Sequence, residues 1–474
     1  MDQNSKTNWG QFIPLVSVFF FWGFVAASND ILIPVFKKAF DLTQSQSQWV
    51  SLAFYIAYTV GSLIYIGISS IMKKDLINTI GYKNGLALGL FISAIGTLLF
   101  YPAANLQSFP LMLTGLFVVA LGFSLQQTVA NPLAIALGPI NTGSQRLTLA
   151  GGINNFGTTI GPLIVSFAIF GVSTNASNDI SIESVKIPYL ILGVAFLLVA
   201  IFLKFSALPD KPTLVEAKLN DVSEGSALKY PQLVMGMIAI FVYVGVEVST
   251  ASNLPAYMEK DLGFEIKDIA PYISLYWASL MIGRWTGAVE AFTDNITTQK
   301  VLRFFAPYLA FGVFLLVNSI AKHNLAPFYV YGLIILVLIL ADFMSKGNPA
   351  RMLLIFSLIG ILALLVGMFT SGMISVYAFI SVGLFCSTLW PCIFTLAVSG
   401  LGKNTSQGSS FLIMMIMGGG IVSWLQGYLS EFTGIQFSYI VGIACFAYLA
   451  YYAWRVSGIL RKQGISFDKT VGGH

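Results

Sequence analysis

Two carboxylates stand inside apolar runs of this 474-residue chain: Asp30 in FVAASNDILIPVF (24–36) and Glu247 in FVYVGVEVS (241–249). A charge at the centre of a bilayer costs about 3 kcal/mol or more, so such a residue faces a cavity or a partner and is a functional candidate. Tyr243 precedes Glu247 by four residues, on the same helical face. A second set is neutral: Gln126, Gln127, Asn131, Asn154 and Asn155, with Gln127 and Asn131 at i,i+4. Amides both donate and accept hydrogen bonds, which suits the hydroxyls of a sugar. A neutral sugar also needs an aromatic wall, and Trp22, Tyr243, Trp277 and Trp390 fall in runs that could supply it. The chemistry these groups can do is reversible binding of a hydroxylated solute and of a cation. Glu247 is expected to be the protonatable or cation-binding group, and sodium beside Asp30 or Glu247 is the only metal ion such groups could hold. Covalent and transition-metal chemistry lack their parts. The chain has two His (His323 and His474) and three Cys, all in apolar runs, and no GxxxxGK[ST] nucleotide loop. No cofactor and no enzymatic activity are expected.

These groups must be positioned by membrane helices. Hydrophobic residues make up 56% of the chain and charged ones 9%, against about 25% charged in soluble domains. A soluble surface cannot be covered with so few charges. The net charge of +5 comes from basic residues spread along the chain, singly or in pairs, so no nucleic acid is expected as a partner. Apolar runs of about 20 residues predict spans near 12–35, 47–70, 86–103, 110–138, 147–171 and 187–206, then 232–256, 267–290, 304–320, 326–343, 353–371, 376–399, 409–432 and 437–456. The chain is therefore read as an all-α polytopic membrane protein of fourteen spans. Its parts are an N-terminal domain (1–206), a cytoplasmic linker (207–231) and a C-terminal domain (232–474). With the N-terminus cytoplasmic, 18 of the 25 Lys and Arg lie inside and six outside, Arg284 being within a span. That bias predicts that both termini are cytoplasmic.

The halves repeat one another weakly. Asn131-Pro132 is followed by Asn141-Thr142-Gly143-Ser144-Gln145 and then Gly157; Trp390-Pro391 is followed by Asn404-Thr405-Ser406-Gln407 and then Gly419. In both, the Gly lies twelve residues after the Gln. Repeats joined by a cytoplasmic linker mark a secondary transporter, with substrate held near the midplane at the repeat interface.

Several stretches carry a more specific likeness: FFFWGFVAASNDILIPVF (19–36), LQQTVANPLAIALG (125–138), LAGGINNFGTTIGP (149–162), FVYVGVEVS, MIGRWTGA (281–288) and STLWPCIFTLAVSGLGKNTSQGSSFLIMMIMGGGIV (387–422). Together they resemble the fucose–galactose–glucose:cation symporter family of the major facilitator superfamily, over nearly the whole chain. The resemblance implies the major facilitator fold, with two six-helix domains and an inserted helix pair at about 304–343. That pair shows no polar stripe and is expected outside the core. It also implies inward symport of a hexose, glucose or galactose first, with H+ or Na+, by alternating access in a bacterial inner membrane, as a monomer. The substrate site would comprise Asp30, Gln127, Asn131, Asn154, Tyr243, Trp277 and Trp390, with Glu247 and Asp30 coupling the cation. Arg284 resembles a superfamily gating motif and would form a cytoplasmic-side ion pair. Fucose-type members have an acid where this chain has Gln127, and lack the acid at Glu247. Their Gln three residues before the sugar-site Asn is Gly151 here. N-acetylglucosamine or L-fucose as substrate, an uncoupled facilitator and a non-transporting sugar sensor are the alternatives.

Overall fold

The computed structural model describes residues 7–72, 80–137, 143–170, 182–209, 226–289, 295–401, 405–465 and 467. Among them every regular element is a helix. The chain divides into two compact units, Met1–Asn220 and Asp221–His474.

In the first unit the long helices are α1 (Trp9–Ala39), α2 (Trp49–Met72), α3 (Tyr82–Leu98), α4 (Phe109–Ala136), α5 (Gly143–Phe170) and α6 (Lys186–Phe205). Helix α1 begins at Asn8, whose side chain accepts from the Gln11 amide and whose own N–H donates to the Leu137 carbonyl at 2.9 Å. The start of α1 is thereby tied to the end of α4. α1 packs along α5, α2 along α4, and α3 along both α4 and α6. Ile191, Leu198, Ile201 and Phe205 of α6 are exposed. An apolar face of that extent is stable against lipid and would aggregate in water.

The second unit comprises α7 (Pro231–Lys260), α8 (Ile266–Ala288), α9 (Ile296–Ile320), α10 (Tyr331–Ser345), α11 (Pro349–Phe369), the broken pair α12 (Gly372–Cys386) and α13 (Leu389–Val398), then α14 (Thr405–Met414), α15 (Gly418–Thr433) and α16 (Ile440–Lys462). α7 packs along α15, α11 along α16 and α12, and α8 along α12 and α9. Fourteen spans are expected from the sequence. Eleven helices among the described residues are long and apolar enough to cross a membrane, and α5 and α8 are not among them. α8 carries Lys267, Asp268 and Arg284, and α5 carries Gln145, Arg146, Asn154 and Asn155, which lower their mean hydropathy.

The segment 304–343 departs from expectation in one respect: it is held by buried polar groups. Arg303 pairs with Asp342 at 3.3 Å, and Asp342 is 3% exposed. Tyr331 of α10 shares a 2.7 Å hydrogen bond with Ser279 of α8, and Tyr308 donates to the Gly332 carbonyl at 3.2 Å. Outward-facing side chains such as Phe305, Leu309, Leu316, Leu333 and Leu340 remain exposed.

Both units contain seams where two helices meet backbone to backbone, and the tightest involve α1 with α5 and α7 with α15. In the first, a Cβ at Gly157 would stand 2.2 Å from the Phe20 carbonyl oxygen, and one at Gly23 would stand 2.0 Å from that of Asn154. In the second, a Cβ at Gly418 would stand 2.0 Å from the Phe241 carbonyl oxygen. The sequence repeat points to Gly157 and Gly419; the second contact falls one residue earlier, at Gly418. Small residues permit this approach, which is how membrane helices associate without a hydrophobic driving force. Gly157→Val or Gly418→Val is expected to cost at least about 1–3 kcal/mol of overpacking and to remove most of the monodisperse protein seen by size-exclusion chromatography. Gly67→Ala and Gly312→Ala, where an added Cβ meets nothing within 4 Å, should leave that yield unchanged.

Candidate functional site

The first unit gathers its amides between α1, α2, α3, α4 and α5. Gln126 is fully buried and spent on structure: its Oε1 accepts from Trp22 Nε1 at 3.0 Å, and its Nε2 donates to Ser93 Oγ at 3.1 Å. Ser93 in turn donates to the Val119 carbonyl at 2.9 Å. Trp22 is thus a helix tie through its indole N–H. Gln127, the next residue, turns to another face and is half-buried. Its Nε2 reaches the Tyr58 hydroxyl at 3.4 Å. Asn154, also half-buried, donates from Nδ2 to the Phe19 carbonyl at 2.9 Å, which tethers α5 to α1 and leaves Oδ1 able to accept. Asn131 is half-buried near the end of α4. Asp30 is 2% exposed, well within α1. Beside it the buried carboxamide of Asn29 finds no hydrogen-bond partner among the described residues.

The second unit builds a polar knot around Glu247. The buried Tyr243 hydroxyl donates to the Glu247 carboxylate from one turn away. Tyr276 of α8 donates to the Glu247 backbone carbonyl at 2.6 Å, fixing α8 against α7. The Arg284 guanidinium lies close enough for its charge to act on both Glu247 and Tyr243. Its Nε donates to the Ser387 carbonyl at 3.3 Å. That carbonyl is available for a reason visible in the sequence. Four residues on stands Pro391, which has no N–H to return a helical bond, and the helix breaks between α12 and α13. An arginine supplies the missing donor, as backbone freed by proline inside a membrane requires. Gly283 makes the approach possible, since a Cβ there would stand 1.8 Å from Ser387 Oγ. Both of these contacts of Arg284 lie within the second unit, at Glu247 and at Ser387.

Of the aromatics, Trp390 is half-buried, with its ring 6.2 Å from that of Tyr243. Trp277 is buried edge-on to Tyr276 at 5.4 Å. Among the described residues no group of three or more His, Cys, Asp or Glu side chains is arranged to hold a metal ion. Tyr58, Ser93, Tyr276 and Ser387 were not singled out in the sequence. Only Ser387 had a readable signal, its spacing from Pro391.

The two neighbouring glutamines predict opposite phenotypes. Gln126→Leu strands Trp22 Nε1 and should destabilise the fold by about 1–3 kcal/mol, seen as a lower thermal midpoint. Gln127→Leu should leave that midpoint nearly unchanged and weaken hexose binding roughly three- to tenfold, the worth of about one hydrogen bond, measured by titration of the purified protein.

The family model described as Major Facilitator Superfamily matches residues 15–341. A glucose/galactose transporter of Brucella abortus is 34% identical over 455 residues, covering 95% of each chain. An L-fucose-proton symporter of Escherichia coli is 29% identical over 480 residues, covering 96% of this chain and 95% of that one. Among solved structures, the major facilitator transporter FucP in its outward conformation matches with a TM-score of 0.62 and 28% identity, over 94% of this chain and 98% of FucP. The likeness runs from end to end in sequence and in fold, and the chain belongs to the fucose–galactose–glucose:cation symporter family of the major facilitator superfamily.

Proposed function

We propose that the protein carries a hexose, glucose or galactose, into the cell together with a proton. The observation that carries this reading is the end-to-end similarity to a glucose/galactose transporter, combined with an amide at Gln127 and a carboxylate at Glu247. The relative named a proton symporter supports H+ as the coupling ion, and nothing comparable favours Na+. In this reading Asp30, Gln127, Asn131 and Asn154 meet sugar hydroxyls, while Tyr243, Trp277 and Trp390 provide apolar ring faces. Glu247 takes up the proton, with Asp30 as the second acid. The Tyr243 hydroxyl and the Arg284 charge hold the ionised carboxylate; protonation loosens both. Loss of that charge shifts the balance between outward- and inward-open states, and coupling is the difference in proton affinity between them. Transport needs no cofactor. The finer architecture belongs to the same proposal: fourteen spans, a helix pair at about 304–343 added to two six-helix domains, both termini on the cytoplasmic side of a bacterial inner membrane, and function as a monomer. L-Fucose is the second reading, favoured by the 29% identical fucose symporter.

Uptake into sodium-free proteoliposomes with an imposed pH gradient tests this directly. Glucose and galactose should accumulate and compete with each other, and collapsing the gradient should abolish accumulation. Accumulation that requires sodium, or that occurs only with L-fucose, contradicts the assignment. Glu247→Gln should abolish concentrative uptake and retain counterflow at near wild-type rate; full accumulation by that variant would remove Glu247 from coupling.

A further inference from the structure

The seam between α7 and α15 holds three polar atoms that the transport reading does not use. Gln426 of α15 and Ser249 of α7 are both 0% exposed. Neither carboxamide atom of Gln426, nor Ser249 Oγ, finds a hydrogen-bond partner among the described residues. The register of the seam brings the two residues level. Gly418 lies against the Phe241 carbonyl and Val422 against Gly245, so each four-residue step on α15 matches four on α7, and the next step sets Gln426 beside Ser249.

A hydrocarbon interior offers no water to repay such groups, and buried polar atoms are as a rule bonded. The chemistry of the missing partner follows from the atoms. Gln426 presents a carbonyl acceptor and an amide with two donors, and the Ser249 hydroxyl can do either. A cation would satisfy the oxygens and face the amide hydrogens with like polarity. A carboxylate would satisfy the donors and repel the carbonyl. Only a group that both donates and accepts completes the set.

We propose that Ser249 and Gln426 form a binding site for a hydroxylic ligand wedged between α7 and α15. Water and a sugar hydroxyl share that chemistry. Full burial of both side chains favours water, since an ordered buried water makes about three hydrogen bonds to such groups. The site lies apart from the proton site: Ser249 continues the α15-facing row of Gly245, whereas Glu247, two residues from each, points about 200° around the helix.

The sign of one thermal shift tests the site. If nothing occupies it, Gln426→Leu replaces an unpaired amide by an apolar side chain of similar size and raises the midpoint of the detergent-solubilised full-length protein. If a hydroxylic group is held there, the same change breaks its bonds and strands Ser249, and the midpoint falls by a few degrees. Ser249→Ala should shift it in the same direction, and the double variant should lose less than the two singles together. Glucose added to each sample separates the sources. A sugar-induced stabilisation that persists with wild-type affinity assigns water, and one weakened roughly three- to tenfold assigns a sugar hydroxyl. A raised or unchanged midpoint in Gln426→Leu with an unaltered glucose response overturns the site. Because the thermal arm needs no transport, its outcome stands whether or not glucose is the substrate.

Discussion

A charged or polar side chain inside a hydrocarbon slab must be met by another protein group or by water, because the lipid offers nothing. Most of the functional architecture of this protein answers that constraint. Gln126 consumes both ends of its amide on Trp22 and Ser93, which fixes three helices of the first unit. Glu247 is met by Tyr243 on its own helix and by the charge of Arg284 from the next. Arg284 in turn repairs the carbonyl that Pro391 leaves open at Ser387. Glu247 is thus met by a hydroxyl donor and by a positive charge, each supplied by protein.

The second constraint is that helices without a hydrophobic drive to associate need close backbone approach. Gly23 and Gly157 provide it in the first unit and Gly418 in the second. These contacts hold α1 against α5 and α7 against α15, and the acids stand on α1 and α7. Each unit therefore presents its carboxylate from a helix anchored by glycine one to three turns away. The weak repeat in the sequence corresponds to a packing device used in both units.

Much of this was legible in the sequence because hydropathy and burial cost are local properties. The apolar runs, Asp30, Glu247 and the i,i+4 relation to Tyr243 needed only spacing. The family followed from motifs spread along the chain. What could not be read was which of two adjacent amides is spent on structure. Gln126 and Gln127 look alike in sequence, and only the packing of α1 and α3 on α4 assigns one to Trp22 and the other to Tyr58. Asn154 likewise reads as a sugar ligand, yet half of its amide is used on the Phe19 carbonyl. The Arg303–Asp342 pair escaped notice because the two residues lie 39 apart, each near one end of its apolar run. Ser387 was the exception: a proline four residues later announces a free carbonyl, and a nearby arginine in a span is a natural donor.

The central claim is that Glu247 changes protonation state when sugar binds. Sugar-induced infrared difference spectra of the reconstituted protein observe that group most directly. The account predicts a band of a protonated carboxyl group on addition of glucose or galactose, absent in Glu247→Gln. A carboxyl band that persists in that variant, or a wild-type spectrum with no carboxyl change, would contradict it.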